Sequence, residues 1–229
     1  IPSYRINLTL GLMKNRGPDG SRSEVITFKN HKIFLLFSRL SIIDLELRAM
    51  QPFSRGNLKI ISNGELFNHI ELRRELKTLG HHFKTKSDTE VMLAAWEQWG
   101  EESLDKMEGM WAFALVDTDK QQIILCRDRF GEKPLYIWET NEAYFFGSEP
   151  KYLVTLAGVK PDINFKQISR FLVNGYKAIY KRPQTFFQNF EEVTPSNYLI
   201  FSDNGSRSRT RYWNLKYSPT HMNEKTAVD

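Results

Sequence analysis

Asn63-Gly64-Glu65 follows an apolar run, Leu58 to Ser62. Two readings of that tripeptide stand side by side. Asn-Gly after a strand is a common tight turn. The same geometry can also aim the Asn amide and the Gly N–H at one point, which stabilises an oxyanion. Glu65 would then be within reach of a substrate ammonium. Asp88 also has two readings: a carboxylate suited to the first turn of a helix, or a second acceptor for an amino group. Arg39, in Ser38-Arg39-Leu40-Ser41-Ile42-Ile43-Asp44, is a solvated strand end or a two-pronged clamp for a carboxylate. A planar guanidinium makes that clamp better than an ammonium does. Together these residues offer a grip on a free α-amino acid.

An attacking atom is harder to find. Cys126 sits in the alternating run Ile123-Ile124-Leu125-Cys126 and reads as a buried, inert thiol. The histidines, at His31, His69, His81, His82 and His221, have no partner at metal-ligand spacing. No Gly-x-x-x-x-Gly-Lys phosphate loop occurs.

These residues need elements to hold them. Residues 1–15 read as the tail of a helix stopped by Asn15-Arg16-Gly17-Pro18, and Arg16 to Gly20 reads as a turn. Strands are predicted at Val25–Phe28, Lys32–Phe37 and Leu58–Ser62. Leu72, Leu76 and Leu79 mark a helix closed by Gly80. Ser87-Asp88-Thr89-Glu90 has the pattern of a capping box, and the helix behind it carries Val91, Met92, Ala95, Trp96 and Trp99. A meander follows: Trp111–Val116, Gln122–Cys126, Leu135–Trp138 and Ala143–Phe146. Helices at Pro150–Leu156 and about Asn164–Val173 come next, the second with Phe165, Ile168, Phe171 and Leu172 on one face. A hairpin around Asp203-Asn204-Gly205 ends the pattern. Two groups of strands with helices between them point to an α+β fold.

Composition narrows the function classes. The 229 residues are 41% apolar and 13% aromatic, which excludes a disordered chain. No run of about 18 apolar residues exists, so no membrane span is expected. Ile1-Pro2-Ser3-Tyr4 has no basic-then-apolar pattern, so no secretory leader is expected. Lys and Arg number 32 against 27 Asp and Glu. The excess is spread along the chain except at Arg207, Arg209 and Arg211, which argues against a nucleic-acid footprint. A single cysteine forbids an internal disulfide and suggests the cytoplasm. Both ends read as cut from a longer chain.

In order along the chain, Arg16-Gly17-Pro18-Asp19, Arg39-Leu40-Ser41-Ile42-Ile43-Asp44, Gln51-Pro52 and Asn63-Gly64-Glu65-Leu66-Phe67-Asn68 form a set of short motifs. Ser87-Asp88-Thr89-Glu90, Gly109 to Ala114, Arg127 to Tyr136, Ser148-Glu149 and Tyr212-Trp213 complete it. This set resembles the glutaminase domain of class II glutamine amidotransferases of the asparagine synthetase type. The resemblance implies an N-terminal-nucleophile hydrolase fold, a four-layer αββα sandwich of two antiparallel sheets flanked by helices. It implies a glutaminase domain at residues 1–213 and the start of a linker at 214–229. It implies hydrolysis of L-glutamine by a cysteine at the mature N-terminus, whose α-amino group is the base. Ammonia would pass to an ATP-dependent synthetase domain of the same chain, with asparagine as the default product.

The resemblance also implies roles. Arg39 binds the substrate carboxylate, Asn63 and Gly64 form the oxyanion hole, and Glu65 and Asp88 hold the ammonium. Backbone groups of Leu40, Ser41, Ile42 and Ile43 line the site. No cofactor or metal is expected in this domain; ATP and Mg belong to the synthetase domain. A homodimer is compatible with the family, and neither nucleic acid nor membrane is expected as a partner. The nucleophilic cysteine has no counterpart here, because Ile1 matches a position inside the family's first helix. Two readings follow: a piece of a working enzyme, or an inactive glutaminase-like domain with a scaffolding or binding role.

Overall fold

A computed structural model describes residues 1–175, 184–217 and 219. The linker expected to start at 214–229 therefore lies largely outside the described residues, as does His221. The elements in order are α1 (Ser3–Met13), β1 (Gly20–Thr27), β2 (Lys32–Arg39), β3 (Phe53–Arg55), β4 (Leu58–Leu66), α2 (His69–Thr78) and α3 (Asp88–Trp99). Next come α4 (Ser103–Lys106), β5 (Gly109–Asp117), β6 (Gln122–Arg127), β7 (Tyr136–Glu139), β8 (Tyr144–Gly147) and α5 (Pro150–Ala157). The chain continues with α6 (Phe165–Asn174), β9 (Phe190–Glu192), β10 (Asn197–Ser202) and β11 (Arg207–Arg211).

The strands form a six-stranded antiparallel sheet, order β11-β10-β6-β5-β4-β3. Facing it are two pieces, the hairpin β1-β2 and the three-stranded β8-β7-β9. Strand β5 shows why the layers stack. Its Trp111, Phe113 and Leu115 pack with α2 and α3, while Ala112 and Ala114 pack toward the second layer. Side chains alternate across a strand, so one sequence serves two cores. Small alanines on the inner face let the sheets approach. Each large buried side chain contributes about 1.5–3 kcal/mol. Helices α1 and α5 pack together over β2 and β8. The result is the expected αββα sandwich, with the second sheet in two parts.

Three expectations change. Strand β4 does not end at Ser62; it runs through Asn63-Gly64-Glu65 to Leu66. The tight-turn reading of Asn63-Gly64 is thus excluded. Gly64 has φ +149°, and a Cβ there would lie 2.0 Å from the Met110 carbonyl oxygen. The glycine marks a close approach of two backbones, not a reversal. The capping box also differs. Ser87 Oγ accepts from Thr89 N–H (3.1 Å), but Glu90 turns outward from the helix to Lys84 N–H (2.8 Å) and Thr85 N–H (2.7 Å). The preceding loop offers Glu90 two donors where a capping box offers one. Finally, α6 exposes Phe165 (72%) and Leu172 (75%), while Gln167 is buried. The apolar period predicted the helix correctly but not which face is covered.

Candidate functional site

A cavity of about 460 Å³ lies between the two sheet layers. Arg39, Leu40, Ile42, Ile43, Asn63, Gly64, Glu65 and Asp88 all border it. Ser41 does not; its N–H donates to Asp19 Oδ2 (2.7 Å). The structure thus brings eight of the nine expected residues to one space.

Strand β4 supplies the centre. Phe67 N–H donates to Glu108 O (2.7 Å), on the β5 side. Alternation then turns the N–H groups of Ser62, Gly64 and Leu66 to the opposite edge. Ser62 N–H donates to Gln51 Oε1 (2.6 Å), and Leu66 N–H donates to Asp88 Oδ2 (3.0 Å). Gly64 N–H lies between them and is claimed by neither carboxamide nor carboxylate. Asn63 Nδ2 is 3.4 Å from Ser148 Oγ, at the cavity wall. A backbone donor and a side-chain amide therefore flank one space, as an oxyanion requires.

The two carboxylates differ. Asp88 is buried and accepts from Leu66 N–H and from Thr89 N–H (2.8 Å), with Ser87 Oγ at 3.5 Å. It joins the end of β4 to the first turn of α3. The Glu65 side chain makes no hydrogen bond or ion pair among the described residues, and the residue is only partly buried. Of the two, Glu65 has the freer oxygens for an incoming ammonium.

Arg39 is buried at the end of β2, and its guanidinium donates to Glu46 O (2.8 Å) and to Asp44 O. It holds the 40–46 loop as well as bordering the cavity. Asp44 secures the same loop from within. Its carboxylate accepts from Lys86 N–H (2.6 Å) and Glu46 N–H (3.2 Å), and Arg48 lies 3.4 Å away. Burial would raise its pKa, but those donors and the Arg48 charge outweigh it and hold the carboxyl below its usual value of 3.8. The Arg16 to Asp19 turn braces this end of β2. Asp19 N–H donates to Arg39 O (3.0 Å), and a Cβ on Gly17 would lie 2.2 Å from Ser38 O.

Other motifs prove architectural. Asp128 is fully buried and accepts from Phe130, Glu132 and Lys133 N–H groups, each at 3.0 Å. Arg127 donates to the carbonyls of Lys133, Gly131 and Val193. This knot sets Lys133 and Leu135 against the cavity. Cys126 is sealed in the core, and burial pushes its thiol well above the ordinary range. Arg207 and Arg209 of the basic cluster pair with Glu191, and Arg211 Nε donates to Trp213 O. Among the described residues no group of His, Cys, Asp or Glu could hold a metal, and no helix is long and apolar enough to cross a membrane.

Gln51 and Ser148 also border the cavity, and neither was assigned a role from sequence. For Gln51 the missed signal was its place next to Pro52, where a strand ladder must stop.

The family model for the glutamine amidotransferase domain matches residues 2–213. The chain belongs to that family. This amidotransferase domain is 32% identical over 209 residues to the Bacillus subtilis protein named asparagine synthetase (glutamine-hydrolyzing) 3, covering 89% of this chain and 33% of that one. It is 37% identical over 232 residues to the Mycobacterium tuberculosis protein named putative asparagine synthetase (glutamine-hydrolyzing), covering 95% and 35%. The amidotransferase domain spans about a third of the length of these relatives. Its fold is similar to that of glutamine phosphoribosylpyrophosphate amidotransferase from B. subtilis, with a TM-score of 0.62, 22% identity, and coverage of 90% of this chain and 45% of that one.

Proposed function

We propose that this domain hydrolyses L-glutamine to L-glutamate and ammonia. The ammonia feeds an ATP-dependent amidation in a synthetase domain of the same polypeptide, by default aspartate to asparagine. One observation carries the reading: Arg39, Glu65, Asp88 and the Gly64 N–H edge border a single cavity. A free α-amino acid has one charge for Arg39 and one for the carboxylates. Its side-chain amide then reaches Asn63 and Gly64.

The nucleophile in this proposal is a cysteine on a strand ahead of Ile1. Its thiol attacks the carboxamide carbon, and its α-amino group takes the thiol proton and delivers it to the departing nitrogen. Ammonia leaves and a γ-glutamyl thioester remains. The oxygen that gains charge lies between Asn63 Nδ2 and Gly64 N–H. Water then opens the thioester, freeing glutamate and restoring the thiol.

The sheet pattern supports such a strand. Among the described strands, β2 pairs only with β1 and β8 only with β7. The 460 Å³ cavity and a neighbouring one of about 990 Å³ share Phe34, Phe145 and Phe146 as walls, and Ile1 borders the second. ATP and Mg²⁺ are assigned to the synthetase domain and to no residue here. The proposal adds a cytoplasmic setting and allows a homodimer. It requires neither nucleic acid nor membrane.

N-terminal sequencing of the natural polypeptide, with an assay of glutamate release, tests it. A cysteine beside the initiator Met is expected, with release abolished when that cysteine becomes alanine. A natural start at Ile1, or a different residue at that place, contradicts the proposal.

A further inference from the structure

The outer edge of β4 is finished by side chains rather than by a strand. Strand β3 pairs Phe53 with Ile60, Ser54 with Lys59 and Arg55 with Leu58. Carried two residues on, the same register sets Gln51 opposite Ser62. Pro52 has no N–H and interrupts the ladder at that point. The Gln51 carboxamide takes over: Oε1 accepts from Ser62 N–H (2.6 Å) and Nε2 donates to Thr89 Oγ1 (3.1 Å). Gln51 is buried, so both bonds are shielded from water. One side chain thus joins the residue before Asn63 to the residue after Asp88.

We propose that Gln51 is a positioning residue for glutamine hydrolysis. It fixes the height of the β4 edge at Ser62 while Asp88 fixes it at Leu66. The intervening Gly64 N–H is thereby held at one angle to the cavity. Gln51 has no part in the chemistry; it acts through Gly64 and through the Asp88 turn. The inference rests on the glutaminase reading for its kinetic consequence, but its geometric part stands apart from it. An oxyanion donor acts on charge that develops in the transition state, so a misaligned donor lowers kcat more than it raises KM.

The test compares Gln51→Met and Gln51→Glu in the natural polypeptide. Methionine keeps the size and loses both hydrogen bonds. Glutamate keeps the acceptor for Ser62 N–H, and the Thr89 hydroxyl can turn to donate to it. Gln51→Met should lower kcat for glutamate release by about tenfold or more, with KM within about threefold of the parent. Gln51→Glu should recover most of the loss. In Gln51→Met, the Ser62 amide should exchange with solvent faster and the Gly64 amide resonance should move; Gln51→Glu should restore both. An unchanged kcat in Gln51→Met overturns the proposal, as does an equal loss in both variants. If the unsubstituted protein releases no glutamate, the glutaminase reading fails, and the amides decide the rest. Unmoved Ser62 and Gly64 signals then overturn the positioning role, and movement restored by Gln51→Glu upholds it.

Discussion

The two walls of the cavity are built on opposite plans. On the β4–α3 wall, Gln51, Ser62, Leu66, Asp88 and Thr89 are joined by buried hydrogen bonds, and β5 presses against Gly64. On the β2 wall, the loop after Arg39 exposes Leu40 (57%), Ile42 (58%), Leu45 (73%) and Leu47 (78%). Among the described residues, Arg39, Asp44 and Asp19 provide the side-chain hydrogen bonds that hold that loop. The difference separates two tasks. An oxyanion donor must be preorganised, because reorganisation during the reaction would cancel its benefit. In the proposed reaction, a residue that captures a carboxylate can sit beside a looser segment.

The sharpest way to break the rigid wall is Gly64→Ala. It adds a Cβ against the Met110 carbonyl at a φ that L-residues rarely adopt. A loss of about 3 kcal/mol or more is expected in urea unfolding; a loss below about 1 kcal/mol would show that β4 and β5 part easily. Asp88→Asn comes next. Sequence alone suggests weaker glutamine binding with little cost to the fold. The structure changes that expectation, because asparagine keeps one acceptor oxygen where Leu66 and Thr89 N–H groups use two. A loss of about 1–3 kcal/mol is expected, read in the same unfolding experiment, together with weaker binding.

The looser wall is expected to respond to pH. Asp44 has a folded pKa below 3.8, so the stability it contributes is complete above its unfolded value. That stability is lost as pH falls through the lower folded value. Protection of the Lys86 and Glu46 amides, relative to the unstructured chain at the same pH, should therefore fall below about pH 4 in the parent protein. In Asp44→Asn that protection should be low above about pH 4 as well. The smallest effect is expected for Leu45→Ser and Leu47→Ser, within about 0.5 kcal/mol of the parent. A larger drop in melting temperature would mean that the loop is packed in solution and that the contrast between the walls is overstated.

Much of this was legible in the residues. The helix ends at Gly80 and Ser87 and the strand at Trp111–Val116 follow from local patterns, and the residues read as a grip border one cavity. Asn63-Gly64 did not, because a turn and a close strand contact demand the same glycine, and only Trp111 and Met110 on another strand decide between them. Glu90 escaped because its donors, Lys84 and Thr85, precede the helix. Asp88 was recognisable as a first-turn carboxylate, but its bond to Leu66, 22 residues away, is a property of the fold. Gln51 carried no chemical signature; its importance arises from a register that exists only once β3 and β4 have paired.

The clasp at both charged ends of the substrate is tested most directly by comparing glutamate release from L-glutamine with hydrolysis of glutaramic acid, which lacks the α-amino group, in the natural polypeptide. Glutamine should be preferred in kcat/KM by about a hundredfold or more, since binding the analogue would leave Glu65 and Asp88 without their cation. Equal rates for the two amides, or no release from glutamine, would contradict the account.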